Sequence, residues 1–183
     1  AESDGDKGQP DADCPNGKVP GNNLPLRGQK GSLYEGGIRV PTIARWPGKL
    51  KPGTEFETPV CVVDWMPTFC ALAEVKIESA ELKWDGVNLW PALTSEAPLP
   101  NRNLHITGPG GNRSALRNGD WKLILTESKN RDSPDMPKAE LFNLSNDPNE
   151  KTDVAGKNPE KVNELKAKLK KQRELDVASK GGL

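Results

Sequence analysis

The sequence predicts an α+β chain: a small antiparallel sheet packed on a C-terminal helix, preceded by strand and helix elements of the α/β kind. Three observations carry this. Residues 113–126 read as two strands joined through Asn118-Gly119, a dipeptide suited to a two-residue hairpin turn because it accepts positive φ. Asn158-Pro159 opens a stretch in which Val162, Leu165 and Leu169 recur at helical spacing, with lysines on the other face. Upstream, the apolar run Val60-Cys61-Val62-Val63 leads directly into a helix-like stripe.

In chain order, residues 1–23 are polar, rich in Gly, Pro, Asp and Asn, and predict a loop or disordered segment. Residues 38–46 predict a strand, with Ile38, Val40, Thr42 and Ala44 on one face and Pro41 marking an edge or a start. Pro47-Gly48 turns the chain. The run from Val60 to Val63 predicts a buried strand. Asp64 follows as a helix N-cap with Pro67 in the first turn, where a missing N–H costs nothing. Trp65, Phe69, Leu72 and Ala73 form the expected core-facing stripe of that helix, ending near Glu74. Composition shifts after about residue 76. Residues 140–144 predict another strand, closed by the turn Asn146-Asp147-Pro148. In the last helix, Glu164 and Lys168 form a favourable i,i+4 pair.

Composition narrows the function. Of 183 residues, 33% are hydrophobic and 28% charged, so the core is modest. The 17 Pro and 18 Gly imply many turns. Acids and bases balance at 26 each, which gives no bulk-charge footprint for nucleic acid. Cys14, Cys61 and Cys70 allow at most one disulfide and lack metal spacing. His105 is the single histidine, which excludes a multi-histidine metal site within this chain. No apolar run reaches the roughly 18 residues of a membrane span. Ala1 reads as a boundary rather than a natural start.

The stretch richest in chemical information is Leu26-Arg27-Gly28-Gln29-Lys30-Gly31-Ser32-Leu33-Tyr34-Glu35-Gly36-Gly37-Ile38-Arg39-Val40-Pro41. It holds four glycines, four charges and one aromatic in sixteen residues, a composition suited to bringing backbone and a cation close to a ligand. It resembles the signature by which type I sulfatases, of the arylsulfatase family within the alkaline-phosphatase superfamily, present an active-site lysine to sulfate. Weaker elements follow in the expected order. They are Trp46-Pro47-Gly48, Asp64-Trp65-Met66-Pro67-Thr68, Asp85-Gly86-Val87-Asn88-Leu89, Arg117-Asn118-Gly119-Asp120-Trp121-Lys122-Leu123-Ile124, and Glu140-Leu141-Phe142-Asn143-Leu144 with Asn146-Asp147-Pro148.

The resemblance, to the C-terminal portion only, implies a four-stranded antiparallel sheet on a helix, preceded by the tail of an alkaline-phosphatase-like α/β domain. The implied domains are 1–23 as a loop or disordered segment, 24–75 as the tail of the catalytic domain, and 76–183 as the C-terminal subdomain. The implied activity is hydrolysis of an aryl or carbohydrate sulfate ester by a formylglycine nucleophile, with bound calcium. The implied location is exported: periplasmic, extracellular or lysosomal. This chain departs from the pattern in having no C/S-x-P-x-R nucleophile motif. Cys14-Pro15-Asn16-Gly17-Lys18 has its proline one place early and lacks the arginine. The resemblance implies an Asp-Asn ligand pair shortly before the Lys30 loop; here that region reads Glu2-Ser3-Asp4-Gly5-Asp6, with no Asp-Asn pair, so no metal ligand is carried over. Formylglycine and calcium ligands are therefore expected outside this chain, the fragment is expected to be inactive alone, and its partner would be the N-terminal catalytic part of the same protein.

Lys30 is the candidate catalytic residue and sulfate contact, because a compact ammonium stabilises charge developing on a sulfate ester. Arg27 and His105 are further candidate substrate contacts, each weighed against a bracing or structural role. Glu35 and Arg39, i,i+4 and opposite in charge, read as an ion pair bracing the loop. The Gly108-Pro109-Gly110-Gly111 loop is a weak candidate for the cleft rim, and the sequons at Asn112 and Asn143 carry little weight. The rival functions are a phospho- or phosphonate-ester hydrolase of the same superfamily and a non-catalytic binding module.

Overall fold

A computed structural model describes residues 23–75, 84–95, 97–128 and 136–180 of the chain. Their contacts form two compact units, one within Ala1–Val40 and Arg102–Leu183, the other within Pro41–Asn101. Composition shifts near residue 76, whereas these units divide after Val40 and after Asn101, so the glycine-rich loop groups with the sheet.

The first unit is built on four strands: β1 (Asn103–Thr107), β2 (Arg113–Asn118), β3 (Trp121–Thr126) and β4 (Lys138–Asn143). They form an antiparallel sheet in the order β1-β2-β3-β4. Period-2 alternation gives the sheet two different faces. His105, Leu116, Leu123 and Leu141 lie in one row across the register. On that face Leu116, Leu123, Leu125 and Leu141 pack with Val162, Leu165 and Leu169 of the long helix Pro159–Lys180. Each such buried aliphatic side chain contributes about 1.5–3 kcal/mol. The opposite row holds Ile106, Ala115, Ile124 and Glu140, with Lys122 beside Phe142. Here Ala115, Ile124, Phe142 and Leu144 pack on Leu33 of the glycine-rich loop. The predicted sheet-on-helix architecture is therefore present, and the sheet's other face is covered by the loop.

Arg173 ties the helix to the sheet. Its Nη1 and Nη2 donate to the two carboxylate oxygens of Glu127 at 2.9 and 3.0 Å, and Nη2 also donates to Ser114 Oγ at 2.9 Å. The expected Glu164–Lys168 pair forms at 2.7 Å. The hairpin is shifted by one residue from its predicted tip: Asn118 pairs with Trp121, so the turn residues are Gly119 and Asp120. Gly119 has φ +59° while Asp120 has no positive φ, the type II′ pattern in which glycine takes the first turn position. Strand β4 begins two residues earlier than predicted and ends at Asn143.

Preceding the sheet in sequence, the expected strand over 38–46 is absent. A single helical turn, α1 (Glu35–Ile38), occupies its start, and the Arg39 N–H donates to Glu35 O. Val40 and Ile43 are exposed, and Pro41 has no N–H to offer a ladder.

In the second unit the predicted Val60–Val63 strand is also absent. The chain makes a 3₁₀ turn at Val62–Asp64 and then α2 (Trp65–Leu72), two residues shorter than expected. Asp64 sits at the N-cap position but points elsewhere: its carboxylate accepts from Cys61 N at 2.7 Å and Val87 N at 3.0 Å. That tie across 23 residues competes with capping and draws Val62 and Val63 out of a strand. Thr68 is the buried residue of α2, donating to Asp64 O at 2.6 Å and accepting from Leu89 N at 2.8 Å. The expected stripe is therefore wrong in part, because Phe69 is 58% exposed. A further short helix, α3 (Trp90–Leu93), places Trp90 against Trp46, with ring centroids 5.2 Å apart. Cys61 and Cys70 are free thiols, and Cys14 lies outside the described residues. No helix among the described residues is long and apolar enough to cross a membrane.

Candidate functional site

The glycine-rich loop closes on itself. Gly36 N donates to Arg27 O at 2.7 Å, and Ser32 N donates to Gln29 O at 2.9 Å. The closure requires glycine at 36, since a Cβ there would lie 2.4 Å from Gly28 O and 2.6 Å from Arg27 O. Gly28 takes φ +83° as the chain enters the loop. Lys30 lies at the exposed end of this closed loop. Leu33, 2% exposed, anchors it in the sheet's apolar face.

Both stems of the loop converge on one buried charge cluster. Lys122, from β3, places Nζ 2.8 Å from Glu35 Oε1 and 2.9 Å from Glu150 Oε1. All three side chains are at least 97% buried. Arg117 Nη1 approaches Glu35 Oε2 at 3.5 Å, so two cations balance two carboxylates. Glu150 Oε2 also accepts from Glu35 N at 2.5 Å, and Glu150 O accepts from Arg27 Nη1 at 2.9 Å. Entry stem and exit stem thus meet at Glu150. That residue holds φ +53°, a left-handed conformation uncommon for a residue with a side chain and sustained only where the surroundings over-determine it. Burial pushes the Glu150 carboxyl above the ordinary carboxylate range, while Lys122 pulls it back.

A second, half-buried cluster flanks the first. The Tyr34 hydroxyl donates to Glu140 Oε1 at 3.1 Å, and its ring meets Phe142 edge-on at 6.2 Å between centroids. Burial, followed by the Glu140 charge, raises the Tyr34 phenol above its usual range. The Arg27 guanidinium lies 3.8 Å from the Tyr34 ring centroid, a cation–π contact.

The expected bracing pair changes partner: Glu35 is engaged by Lys122 and Arg117, while Arg39 is exposed. The i,i+4 spacing fails because the helix ends at Ile38 and the Glu35 side chain turns into the sheet. Arg27 and Lys30 lie on one loop, on one side of the sheet. His105 lies in the row that faces the long helix, with Nδ1 3.3 Å from Asp176 Oδ2. The sheet therefore stands between His105 and the Lys30 loop. Gly108, in the β1–β2 connection, does reach the loop: a Cβ there would lie 3.4 Å from Leu33 Cδ1.

Among the described residues, no group of three or more His, Cys, Asp or Glu side chains is arranged to hold a metal ion. The carboxylates beside the loop, Glu35, Glu140 and Glu150, are engaged by Lys122, Arg117 and Tyr34. They do not fit the calcium that the resemblance implies. The Cys14 segment lies outside the described residues.

Sequence reasoning missed Lys122, Glu150 and Glu140. A signal existed for the first: in Trp121-Lys122-Leu123-Ile124-Leu125, alternation puts Lys122 on the same face as Ile124, where a lysine needs a partner. Glu150, in an irregular turn, gave none.

No family model matches the chain. A curated protein named Sulfatase, from Formosa agariphila, is 30% identical over 148 residues, covering 76% of this chain and 27% of that protein. Human Arylsulfatase A is 32% identical over 175 residues, covering 84% of this chain and 34% of that protein. The crystal structure of Ps i-CgsB in complex with k-i-k-neocarrahexaose superposes with a TM-score of 0.68 at 35% identity, covering 82% of this chain and 32% of that one. The chain thus spans about a third or less of the length of the relatives it matches.

Proposed function

The chain belongs to the sulfatase family, and from that premise we propose that the whole protein hydrolyses sulfate esters, with Lys30 contacting the sulfate group. The carrying observation is the closed glycine loop, which is pinned at both stems and keeps Lys30 exposed at its end. A sulfate ester gains negative charge on its leaving oxygen as the S–O bond breaks. A fixed ammonium at that point stabilises the transition state more than the ground state. On this reading a formylglycine would supply the nucleophile and calcium would neutralise charge, both expected outside this chain; the likeness to sulfatases supports this. This chain's contribution is to bind and orient. Arg27 is a secondary candidate for the substrate's rim. The Asp176 contact and its position on the helix face favour a structural role for His105 over a substrate contact.

The substrate class we propose is a sulfated carbohydrate, with small aryl sulfates as surrogates. The support is the likeness to a structure solved with an oligosaccharide. The partner we propose is the N-terminal catalytic part of the same protein, in an exported compartment. In the second unit Ile43, Val62, Met66 and Phe69 are each more than half exposed, apolar surface that such a partner could cover.

The test uses the intact enzyme. Lys30→Ala should lower kcat/KM on an aryl sulfate by about 10²–10³, equivalent to roughly 2–4 kcal/mol, with an unchanged melting temperature. Lys30→Arg should rescue only in part, since a guanidinium fork does not place its charge at the ammonium's single point. Gln29→Ala is the control. Equal losses for the Lys30 and Gln29 variants, or a Lys30 loss explained by unfolding, would overturn the assignment.

A further inference from the structure

Lys122 is buried completely, yet it is not needed to fill the sheet. An aliphatic side chain on Ile124's face would bury as much surface without the cost of desolvating a cation. What an aliphatic residue cannot do is hold two carboxylates at once. Its two partners are not equivalent pieces of scaffold. Glu35 is on the exit stem of the Lys30 loop, five residues past Lys30. Glu150 receives the entry stem through Arg27 Nη1 at 2.9 Å and the exit stem through Glu35 N at 2.5 Å. Lys122 Nζ donates a charge-assisted hydrogen bond to Glu35 Oε1 at 2.8 Å and forms an ion pair with Glu150 Oε1 at 2.9 Å, so both carboxylates are drawn to β3 in a low-dielectric interior.

We propose that Lys122 is the positioning residue for Lys30: its ammonium clamps Glu35 and Glu150 together and so sets the place at which the loop presents Lys30. This rests on the reading of Lys30 as the sulfate contact. Lys122 touches no substrate, and its effect on rate must pass through the loop. Glu150's left-handed backbone fits the same reading, because a glycine there would relieve the strain but remove the carboxylate that both stems use.

The experiment is a mutant cycle in the intact enzyme, with Lys122→Met, Glu35→Gln and Lys30→Ala singly and in pairs. It is read by kcat and KM on an aryl sulfate and by hydrogen exchange of the loop amides at 27–37. Glu35→Gln keeps the side chain's shape and leaves Lys122 paired with Glu150, so it decides if Lys122→Met does not fold. The expected result is at least tenfold faster exchange in the loop with β3 protection retained. With it, kcat should fall about tenfold with little change in KM, and that loss should disappear in the Lys30→Ala background. Unchanged loop protection, or a kcat loss of the same size with and without Lys30, would overturn the proposal. A Lys30→Ala enzyme of wild-type kcat would overturn the reading of Lys30 instead, with loop exchange still judging the clamp.

Discussion

Gly36→Ala is the sharpest test of the closed loop, because it adds one methyl group and changes no charge. The added Cβ would lie 2.4 Å from Gly28 O, 2.6 Å from Arg27 O and 3.0 Å from Arg27 C, all of them backbone atoms. Ordinary contact distances for such atoms are about 3.5 Å or more, so the entry stem must retreat by roughly 1 Å. That retreat breaks the 2.7 Å bond from Gly36 N to Arg27 O. Overpacking costs about 1–3 kcal/mol and an unmade buried hydrogen bond about 1–3 more. Alanine's better helix propensity returns about 0.5–1 kcal/mol. The net is about 1–5.5 kcal/mol. For a chain of this size that corresponds to a melting temperature lower by roughly 2–22 °C. The loss registers globally because releasing the loop uncovers the face on which Leu33 packs with Ile124 and Phe142. Gly156→Ala is the control, since a Cβ there meets nothing within 4 Å and no positive φ is required. Thermal melts of the two variants by circular dichroism decide the matter. If Gly36→Ala melts within about 2 °C of Gly156→Ala, the steric account of the loop is wrong.

Two further predictions concern pH. Burial raises the Glu150 carboxyl above its ordinary value of 4.5, so the folded chain holds that proton more tightly than the unfolded chain. Its contribution to stability is greatest below 4.5 and declines as pH rises from there through the raised value. Glu150→Gln should flatten that decline in urea midpoints measured from acid to neutral pH, and an unaltered slope would refute it. Glu164 behaves oppositely. Hydrogen bonds from Lys161, then Lys168, lower it to about 2, so its contribution is present above 4.5 and lost as pH falls through about 2. The group is fully exposed, so molar salt should move its NMR titration midpoint back toward 4.5, and a salt-independent midpoint would contradict the pairing.

The sequence by itself determined the sheet, the long helix and the place of the glycine-rich loop. Those features rest on short-range causes. Alternation over 113–126 sets two faces, Val162, Leu165 and Leu169 recur at one helical period, and four glycines in a charged stretch permit little besides a tight loop. The hairpin erred by only one residue, because Asn118-Gly119 localises a turn but the cross-strand partner of Trp121 fixes its register. Tertiary structure decided the rest. The 38–46 and 60–63 segments have strand-like composition, but only Ile38 of the first is held in a helical turn while 39–46 form no strand, and Asp64, tied to Val87, draws Val62 and Val63 into a 3₁₀ turn. Glu35 had a plausible mate four residues on. It is bonded instead to Lys122, 87 residues away, with Glu150 a further 28 beyond. No local pattern specifies such a cluster, because each member is intelligible only once the sheet has removed the other charges from water. The sequence supplies Lys30 and its loop, and the packed sheet decides where that loop is held.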